Sequence, residues 1–379
     1  MHPPSPPFER IAREISRRAA ELLSAPTTVL DAQGGVVASS DDASSTVAHE
    51  STLRVPFRVA DRHGHVVVGE GTGEEIISPR LARSVVELLV NQARAREDFP
   101  HGPELKDKLL HDLLLGEAVS EDSSTARARL LGMDLAPPRA VLLVDAAEFI
   151  LGSNGEDDAR SRRRADLVIG SVAGFFRLPL DTICTYLGRG EVAVLKASDS
   201  RNLETWAEDD EARTPSWSNL AALKRAATQL LEQLQVDTGR HVTIGLGRYH
   251  RGLRGLARSH QDAQAALSLG RRLHGDGRVY SLDALGVAAF LGVPDERIKL
   301  DLARHLLTPL DAEAELLFTL DVFFQHDCHP LPTAKALGIH RNTLSYRLDK
   351  TQLLTGLDPR HFDHAVQIRL AMLLRDFAR

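Results

Sequence analysis

A segment near the carboxyl end, LPTAKALGIHRNTLSYRLDK, concentrates side chains that can hydrogen-bond to phosphates and base edges. Arginine and asparagine pair with guanine and adenine edges, while hydroxyl groups reach phosphate oxygens. The residues expected to make such contacts are Thr333, His340, Arg341, Asn342, Thr343, Ser345, Tyr346, Arg347 and Lys350. The chemistry open to this segment is therefore the recognition of double-stranded DNA.

The spacing of small and apolar residues in this segment predicts two short helices joined by a tight turn. A helix-turn-helix requires a small residue where its helices cross and a left-handed residue in its turn. Ala334 supplies the small residue, and Gly338 adopts positive φ without a steric penalty. The apolar anchors are Leu337, Ile339, Leu344 and Leu348. We predict helices over Pro332–Leu337 and Arg341–Leu353, followed by a last helix over His361–Phe377.

Positive charge is segregated at this end of the chain. The whole protein has a formal net charge of -6, which excludes a uniformly basic coat. From Leu331 to the end, eight lysine and arginine residues stand against four aspartates, a local excess of 8 − 4 = +4. A plain helical hairpin with a solvated face is the alternative to a DNA-binding unit.

The run LGIHRNTLSYRLDKTQLLTGLD resembles the C-terminal helix-turn-helix of the CdaR/PucR family of bacterial transcriptional regulators. The matching residues are His340, Arg341, Asn342, Thr343, Leu344, Tyr346, Arg347, Leu348, Leu353, Thr355, Gly356 and Asp358. The preceding HDCHPL departs from the family, whose members often carry an Asn-Gly-Asn-like turn there. The resemblance implies binding to operator DNA by two copies on paired half-sites, and therefore a homodimer or higher oligomer.

The middle of the chain, GRYHRGLRGLARSHQDAQAALSLGRRLHGDGRVYSLDALG, resembles the degenerate GGDEF-like domain of the same family. A diguanylate cyclase needs a Gly-Gly-Asp/Glu-Glu-Phe hairpin, because the glycines admit the nucleotide and the carboxylates hold metal ions. Here the corresponding place reads Leu187-Gly188-Arg189-Gly190-Glu191-Val192, which keeps one carboxylate, Glu191. We therefore expect no enzyme activity, no cofactor and no metal. The alternative is a protein that binds or processes a nucleotide through this domain.

The amino-terminal region resembles the family's sugar-diacid recognition domain, on VLDAQGGVVASSD and VVVGEGTGEEI. The Arg-Ile-Gly stretch that helps relatives to bind their ligand is not found. The resemblance implies a small organic-acid effector, with Ser39, Asp41, His49, Gly71, Thr72 and Gly73 as pocket residues. A changed ligand, or a dimerisation module that binds none, is the alternative.

Hydrophobic periodicity predicts a multidomain α+β protein. A small α+β sensor-like domain of helix, hairpin, hairpin and helix occupies residues 8–96, and a helical connector follows over 97–135. A GGDEF-like α/β domain is expected over 136–292, and an all-α helix-turn-helix domain over 300–379. Hairpin turns are predicted at Gln33-Gly34-Gly35 and at Arg62-His63-Gly64.

Composition and sequence pattern indicate the cellular compartment of the protein. The only cysteines, Cys184 and Cys328, lie far apart and make no disulfide framework, which favours a reducing cytoplasm. The start, MHPPSPPFER, lacks the pattern of a signal peptide, and no run of 18 apolar residues predicts a membrane span. A third interpretation, a purely structural helical adaptor, predicts no salt-dependent DNA binding.

Overall fold

The structure, a computed structural model, describes residues 6–40, 53–59, 62–69, 77–98, 102–117, 120–152, 158–176, 182–197 and 217–377. The chain divides into two compact units. The first comprises residues 1–263 with 276–279, and the second comprises residues 264–275 with 280–379. None of the described helices is long and apolar enough to cross a membrane.

The amino-terminal part of the first unit packs two helices on one antiparallel sheet in the order β2-β1-β4-β3. Its elements are α1 (Pro6–Leu23), β1 (Thr27–Asp31), β2 (Val36–Ser39), β3 (Leu53–Val59), β4 (Arg62–Val68) and α2 (Pro79–Asp98). Apolar residues recur on one face of α1, where Ile11 and Ile15 are buried with Val29 and Val66 of the sheet. The predicted order of helix, hairpin, hairpin and helix is confirmed.

One of the two predicted hairpin turns is confirmed, and the other is wrong. Gly34 adopts φ +85° in the first turn, and the Asp31 carboxylate accepts hydrogen bonds from the Gln33 and Gly35 amides at 2.9 and 2.7 Å. The turn predicted at Arg62-His63-Gly64 is wrong, because all three residues lie inside β4. Val59 pairs with Arg62, and residues 60 and 61 lie outside the described ranges.

Close packing, rather than a turn, requires glycine at position 64. A Cβ atom at Gly64 would stand 2.6 Å from the Leu30 carbonyl oxygen and 2.9 Å from the Phe57 ring. Glycine therefore allows the neighbouring strands and the Phe57 ring to approach closely.

The rest of the first unit is a five-stranded sheet in the order β6-β7-β5-β8-β9, covered by helices on both faces. Its elements are α3 (Gly102–Leu115), α4 (Glu121–Leu130), β5 (Arg139–Asp145), α5 (Ala147–Ile150), α6 (Asp158–Phe176), β6 (Thr182–Gly188), β7 (Glu191–Ala197), α7 (Trp217–Thr238), β8 (Thr243–Leu246), α8 (Arg254–His274) and β9 (Val279–Ser281). Residues 264–274 of α8 and 280–281 of β9 belong to the second unit. Successive residues of β5 alternate between the two faces. Leu142 and Val144 share a core with α6 and α7, and Val141 shares one with α3 and α4.

Helix α6 packs directly on the amino-terminal domain. A Cβ atom at Gly174 would stand 2.0 Å from the Ser84 hydroxyl, and one at Gly170 would stand 2.8 Å from a Val85 methyl group. The two glycines lie one turn apart on the same face of α6, so they form a groove that receives α2. Even one added methyl group on this face would push the two helices apart.

Polar contacts support the same docking. The Arg163 guanidinium of α6 donates to the carbonyl oxygens of Glu21 and Leu22, at 2.9 and 3.0 Å. These two carbonyl groups lie in the last turn of α1, where a helix offers them no backbone partner. The Asp237 carboxylate of α7 accepts from the Ser171 hydroxyl at 2.6 Å and from the Ser78 hydroxyl before α2 at 3.4 Å. The first unit is therefore held together across the boundary between its two predicted domains.

The second unit begins with residues 264–274 of α8, and its described secondary structure is helical except for residues 280–281 of β9. Its elements are α9 (Val287–Gly292), α10 (Glu296–Leu307), a 3₁₀ turn (Thr308–Leu310), α11 (Ala314–Gln325), α12 (Pro330–Leu337), α13 (Arg341–Thr355) and α14 (Phe362–Phe377). Leu302, Leu320 and Phe323 lie at the centre of its core. The predicted all-α C-terminal domain is confirmed.

This unit begins earlier in the chain than residue 300, where the sequence suggested a boundary. Leu269 of α8 and Tyr280 belong to its core. The Tyr280 ring lies against Gly270, where a Cβ atom would stand 2.2 Å away, and its hydroxyl donates to the Gly275 carbonyl at 2.6 Å. Residues 280–293 pack with the helical unit because their apolar side chains face its core.

Candidate nucleic-acid interface

Helices α12 and α13 and the turn between them form the helix-turn-helix that the sequence predicts. Gly338 ends α12 in the left-handed conformation, with φ +65°, and the Ile339 amide donates to the Ala334 carbonyl at 3.0 Å. Ala334 is buried, as are Leu344 and Leu348 of α13. These contacts fix α13 on the body of the unit and leave its other side facing solvent.

The first two turns of α13 present polar side chains to solvent. His340 caps the helix, and its Nδ1 accepts a hydrogen bond from the Asn342 amide at 3.2 Å. Five exposed residues form what we call the outer face of α13: Arg341, Asn342, Thr343, Ser345 and Tyr346. The unpaired amide groups of a first helical turn add partial positive charge, which favours contact with an anion.

Thr333 does not lie on this exposed surface. Its side chain is 0% exposed, and its hydroxyl donates to the His329 carbonyl at 2.7 Å within the first turn of α12. The expectation that Thr333 contacts DNA is therefore wrong for this conformation. The hydroxyl satisfies a backbone carbonyl inside the unit instead.

Arg347 and Lys350 also face a different neighbour than the sequence suggested. The Arg347 side chain is 14% exposed, donates to the Thr319 hydroxyl at 3.1 Å and forms an ion pair with Glu315. The Lys350 ammonium lies 2.6 Å from the Glu313 carboxylate. This hydrogen bond to Glu313 raises the pKa of Lys350, because it favours the charged form.

Most of the positive charge counted at this end is paired with carboxylates. Besides Arg347 and Lys350, three further arginines of the last 49 residues form ion pairs. The pairs are Arg360 with Asp349 and Asp358, Arg369 with Asp321, and Arg375 with Asp311, at 2.7–2.9 Å. Within the part of this segment that the structure describes, Lys335 and Arg341 form no ion pair. Cationic charge is thus available on α12 and at the start of α13.

The turn before α12 contains two consecutive left-handed residues that are not glycine. Asp327 has φ +53° and Cys328 has φ +62°. An L-residue in this conformation is destabilised by about 1–2 kcal/mol relative to glycine. Burial, with the charge of Asp327, raises the pKa of the Cys328 thiol, so the thiol stays protonated.

Relief of this strain is measurable with a matched pair of variants. We expect Cys328→Gly to be more stable than Cys328→Ala by about 1 kcal/mol, because both remove the thiol and only glycine removes the backbone strain. Urea denaturation of both full-length variants gives the difference. Equal stabilities would show that the backbone at residue 328 is unstrained.

The hairpin corresponding to the GGDEF motif has the predicted shape. Gly188, Arg189 and Gly190 all have positive φ between β6 and β7. A Cβ atom at Gly190 would stand 2.3 Å from the Ala147 Cα atom, so this glycine makes room for the backbone of α5. Glu191 lies opposite Asp145 in the sheet register. Among the described residues, no group of three or more His, Cys, Asp or Glu side chains is placed to hold a metal ion.

Of the residues predicted to form the effector pocket, the structure describes Ser39. Ser39 is exposed at the end of β2, with its hydroxyl 3.3 Å from that of Thr28. Asp41, His49, Gly71, Thr72 and Gly73 lie outside the described residues.

A helix-turn-helix with an exposed polar outer face, in a chain with two further α/β modules, defines a DNA-binding transcriptional regulator. Two family profiles match the chain: the PucR C-terminal helix-turn-helix domain over residues 316–374 and the GGDEF-like domain over residues 115–269. The chain thus carries the GGDEF-like domain and the helix-turn-helix domain that the CdaR/PucR regulators carry.

Comparison with known proteins finds similar sequences and one similar solved structure. The chain is 26% identical to the carbohydrate diacid regulator of Escherichia coli (strain K12), over 96% of this chain and 97% of that protein. It is 28% identical to the purine catabolism regulatory protein of Bacillus subtilis (strain 168), over 43% of this chain and 32% of that protein. A solved structure of a regulator of polyketide synthase expression from Bifidobacterium adolescentis covers 72% of this chain and 93% of its own, with 14% identity and a TM-score of 0.44.

Proposed function

We propose that this regulator binds operator DNA through the outer face of α13 and controls genes of carbon or organic-acid metabolism. The observation that carries the proposal is the exposure of Arg341, Asn342, Thr343, Ser345 and Tyr346 in the first two turns of the helix. Arginine and asparagine read base edges, and the hydroxyl groups contact phosphates. Lys335 adds a phosphate contact from α12. Such a protein acts in the cytoplasm, where its operator is.

Two copies act together in this proposal. One helix-turn-helix buries a modest surface on DNA, so a single unit binds weakly. A homodimer presents two copies of α13 to half-sites about 34–36 Å apart, which is one turn of the duplex. The operator is therefore expected to be a paired site.

The effector in this proposal is a small organic acid bound by the amino-terminal domain, residues 8–96. The support is that the relative matched along almost its whole length is named a carbohydrate diacid regulator. Ser39, Asp41, His49, Gly71, Thr72 and Gly73 are the proposed pocket residues. Docking of α2 on α6 would carry the response into the GGDEF-like domain.

We assign the GGDEF-like domain a structural and regulatory role without enzyme activity. In a cyclase the hairpin glycines leave space for the nucleotide, whereas here Gly190 leaves space for Ala147. A turnover assay with GTP and magnesium distinguishes the two functions. Any product that disappears in Glu191→Gln would favour the nucleotide-processing alternative.

Selection of genomic DNA fragments with the purified full-length protein tests the proposal. We expect enrichment of a paired site whose affinity falls steeply with salt, because each neutralised phosphate releases counterions. The selection is run with and without small dicarboxylates, since the binding-competent state can require the effector. No enrichment under either condition would reject the proposal and favour a helical adaptor.

A further inference from the structure

The side of α13 that faces α11 carries two cations beside its buried stripe. The stripe consists of Leu344, Leu348, Thr351 and Thr355. Arg347 follows Leu344 by three residues, so it stands at the edge of this stripe rather than on the outer face. Lys350 follows by another three residues, about 4.5 Å further along the helix axis.

Arg347 is built into the contact between the two helices. Its partner Thr319 is almost fully buried on α11, and the Thr319 hydroxyl donates to the Glu315 carbonyl at 2.7 Å. That bond directs the oxygen lone pairs of the hydroxyl toward Arg347, whose guanidinium donates to them. The ion pair with Glu315 holds the other side of the same guanidinium. A planar guanidinium held at two points has little freedom to reach a neighbouring phosphate.

Lys350 makes the second connection. Its ammonium lies 2.6 Å from Glu313, the residue just before α11. Glu313 and Glu315 thus anchor α13 at two levels, one turn apart. The buried stripe packs α13 on the unit, and the two ion pairs add polar contacts along one edge of this stripe that restrict the tilt of the helix.

We infer that Arg347 and Lys350 are positioning residues, which set the angle of α13 through Glu315 and Glu313 and do not contact DNA themselves. This inference rests on the proposed operator binding by the outer face of α13. It divides the basic residues of the segment into two functional groups. Lys335 and Arg341 supply charge to the DNA, and Arg347 and Lys350 hold the helix that presents Arg341.

An alternative role for the two carboxylates predicts the opposite change in operator affinity. If the carboxylates merely sequestered two DNA-binding cations, their removal would release the cations and strengthen operator binding. A released cation would also steepen the salt dependence, by about one unit in the slope of log K against log salt. Positioning predicts weaker binding and an unchanged slope, so the sign of one affinity change separates the two.

The experiment measures operator affinity against salt concentration for full-length Glu315→Gln, Glu313→Gln, Arg347→Ala and Arg347→Lys. We expect the first three variants to bind about 3- to 10-fold more weakly with the wild-type salt slope, as for the loss of one intramolecular hydrogen-bonded contact. Arg347→Lys should recover part of the loss, since it keeps the charge. Arg375→Ala is the matched control, because it breaks a partly buried arginine ion pair with Asp311 that does not involve α13, and it should retain wild-type affinity.

Two results would overturn the inference. One is stronger binding by either glutamine variant, and the other is a salt slope reduced by about one unit in Arg347→Ala. Hydrogen exchange of the free protein gives a readout without DNA. In both glutamine variants, the amides of α13 should exchange faster than in the wild-type protein, and the amides of α14 should exchange at the wild-type rate. If even the wild-type protein bound no operator, the proposed function would fail, and unchanged exchange in α13 would then reject the positioning role separately.

Discussion

Replacement of Arg341 by alanine is expected to weaken operator binding about 10- to 100-fold, the usual loss for an arginine that reads a base edge. Arg341 is exposed in the first turn of α13 and forms no ion pair among the described residues. Its whole charge is therefore available to DNA, so the salt slope should also fall by about one unit. Fluorescence anisotropy with the enriched operator, at several salt concentrations, measures both quantities.

The control for this prediction is again Arg375→Ala, which removes one arginine of the same unit away from α13. It should leave the affinity and the salt slope unchanged. Thermal unfolding of both variants separates a loss of contact from a loss of fold. If Arg341→Ala kept the wild-type affinity and slope, the DNA-binding surface would have to lie elsewhere.

Substitution of Gly247 by alanine is expected to lower the free energy of unfolding of the first unit by more than about 3 kcal/mol. The new Cβ atom would stand 1.9 Å from the backbone carbonyl oxygen of Ser259 in α8. Neither side can retreat easily. The Gly247 amide donates to the Val141 carbonyl at 2.8 Å, and the Ser259 hydroxyl accepts from the Val141 amide at 2.9 Å. Urea denaturation followed by circular dichroism measures the loss.

Gly188→Ala is a suitable comparison. Gly188 has φ +91°, but nothing lies within 4 Å of its would-be Cβ atom, so this substitution costs about 1–2 kcal/mol of backbone strain alone. The two variants therefore separate close packing from backbone conformation. Similar losses in both would mean that β8 and α8 separate readily at Gly247.

Local patterns in the sequence were sufficient for most of the secondary structure. The apolar anchors Leu344 and Leu348 lie where their spacing placed them, and Gly338 has the left-handed conformation that the turn requires. Gly64 misled the turn prediction, because a glycine is needed both in turns and where another chain segment comes close. Only the partner strand distinguishes the two uses.

Tertiary contacts could not be read from the same patterns. Arg347 meets Glu315 across 32 residues and Lys350 meets Glu313 across 37, and neither spacing leaves a periodic signal. The local charge of +4 is counted from Leu331 onward. Four of the carboxylates that form ion pairs with these cations precede Leu331, so the count leaves them out. Exposure, not residue type, separates Arg341 from Arg347.

The grooved face of α6 bears on how regulators of this kind could be recombined as biosensors. Gly170 and Gly174 fit Val85 and Ser84 of α2 so closely that the amino-terminal domain is not an interchangeable module with a boundary at residues 96–97. A chimera joined there would bring a foreign α2 against a groove shaped for this one. Transplanting α6 together with the new domain would preserve the fit, and libraries of hybrid sensors should therefore place their junction after Phe176.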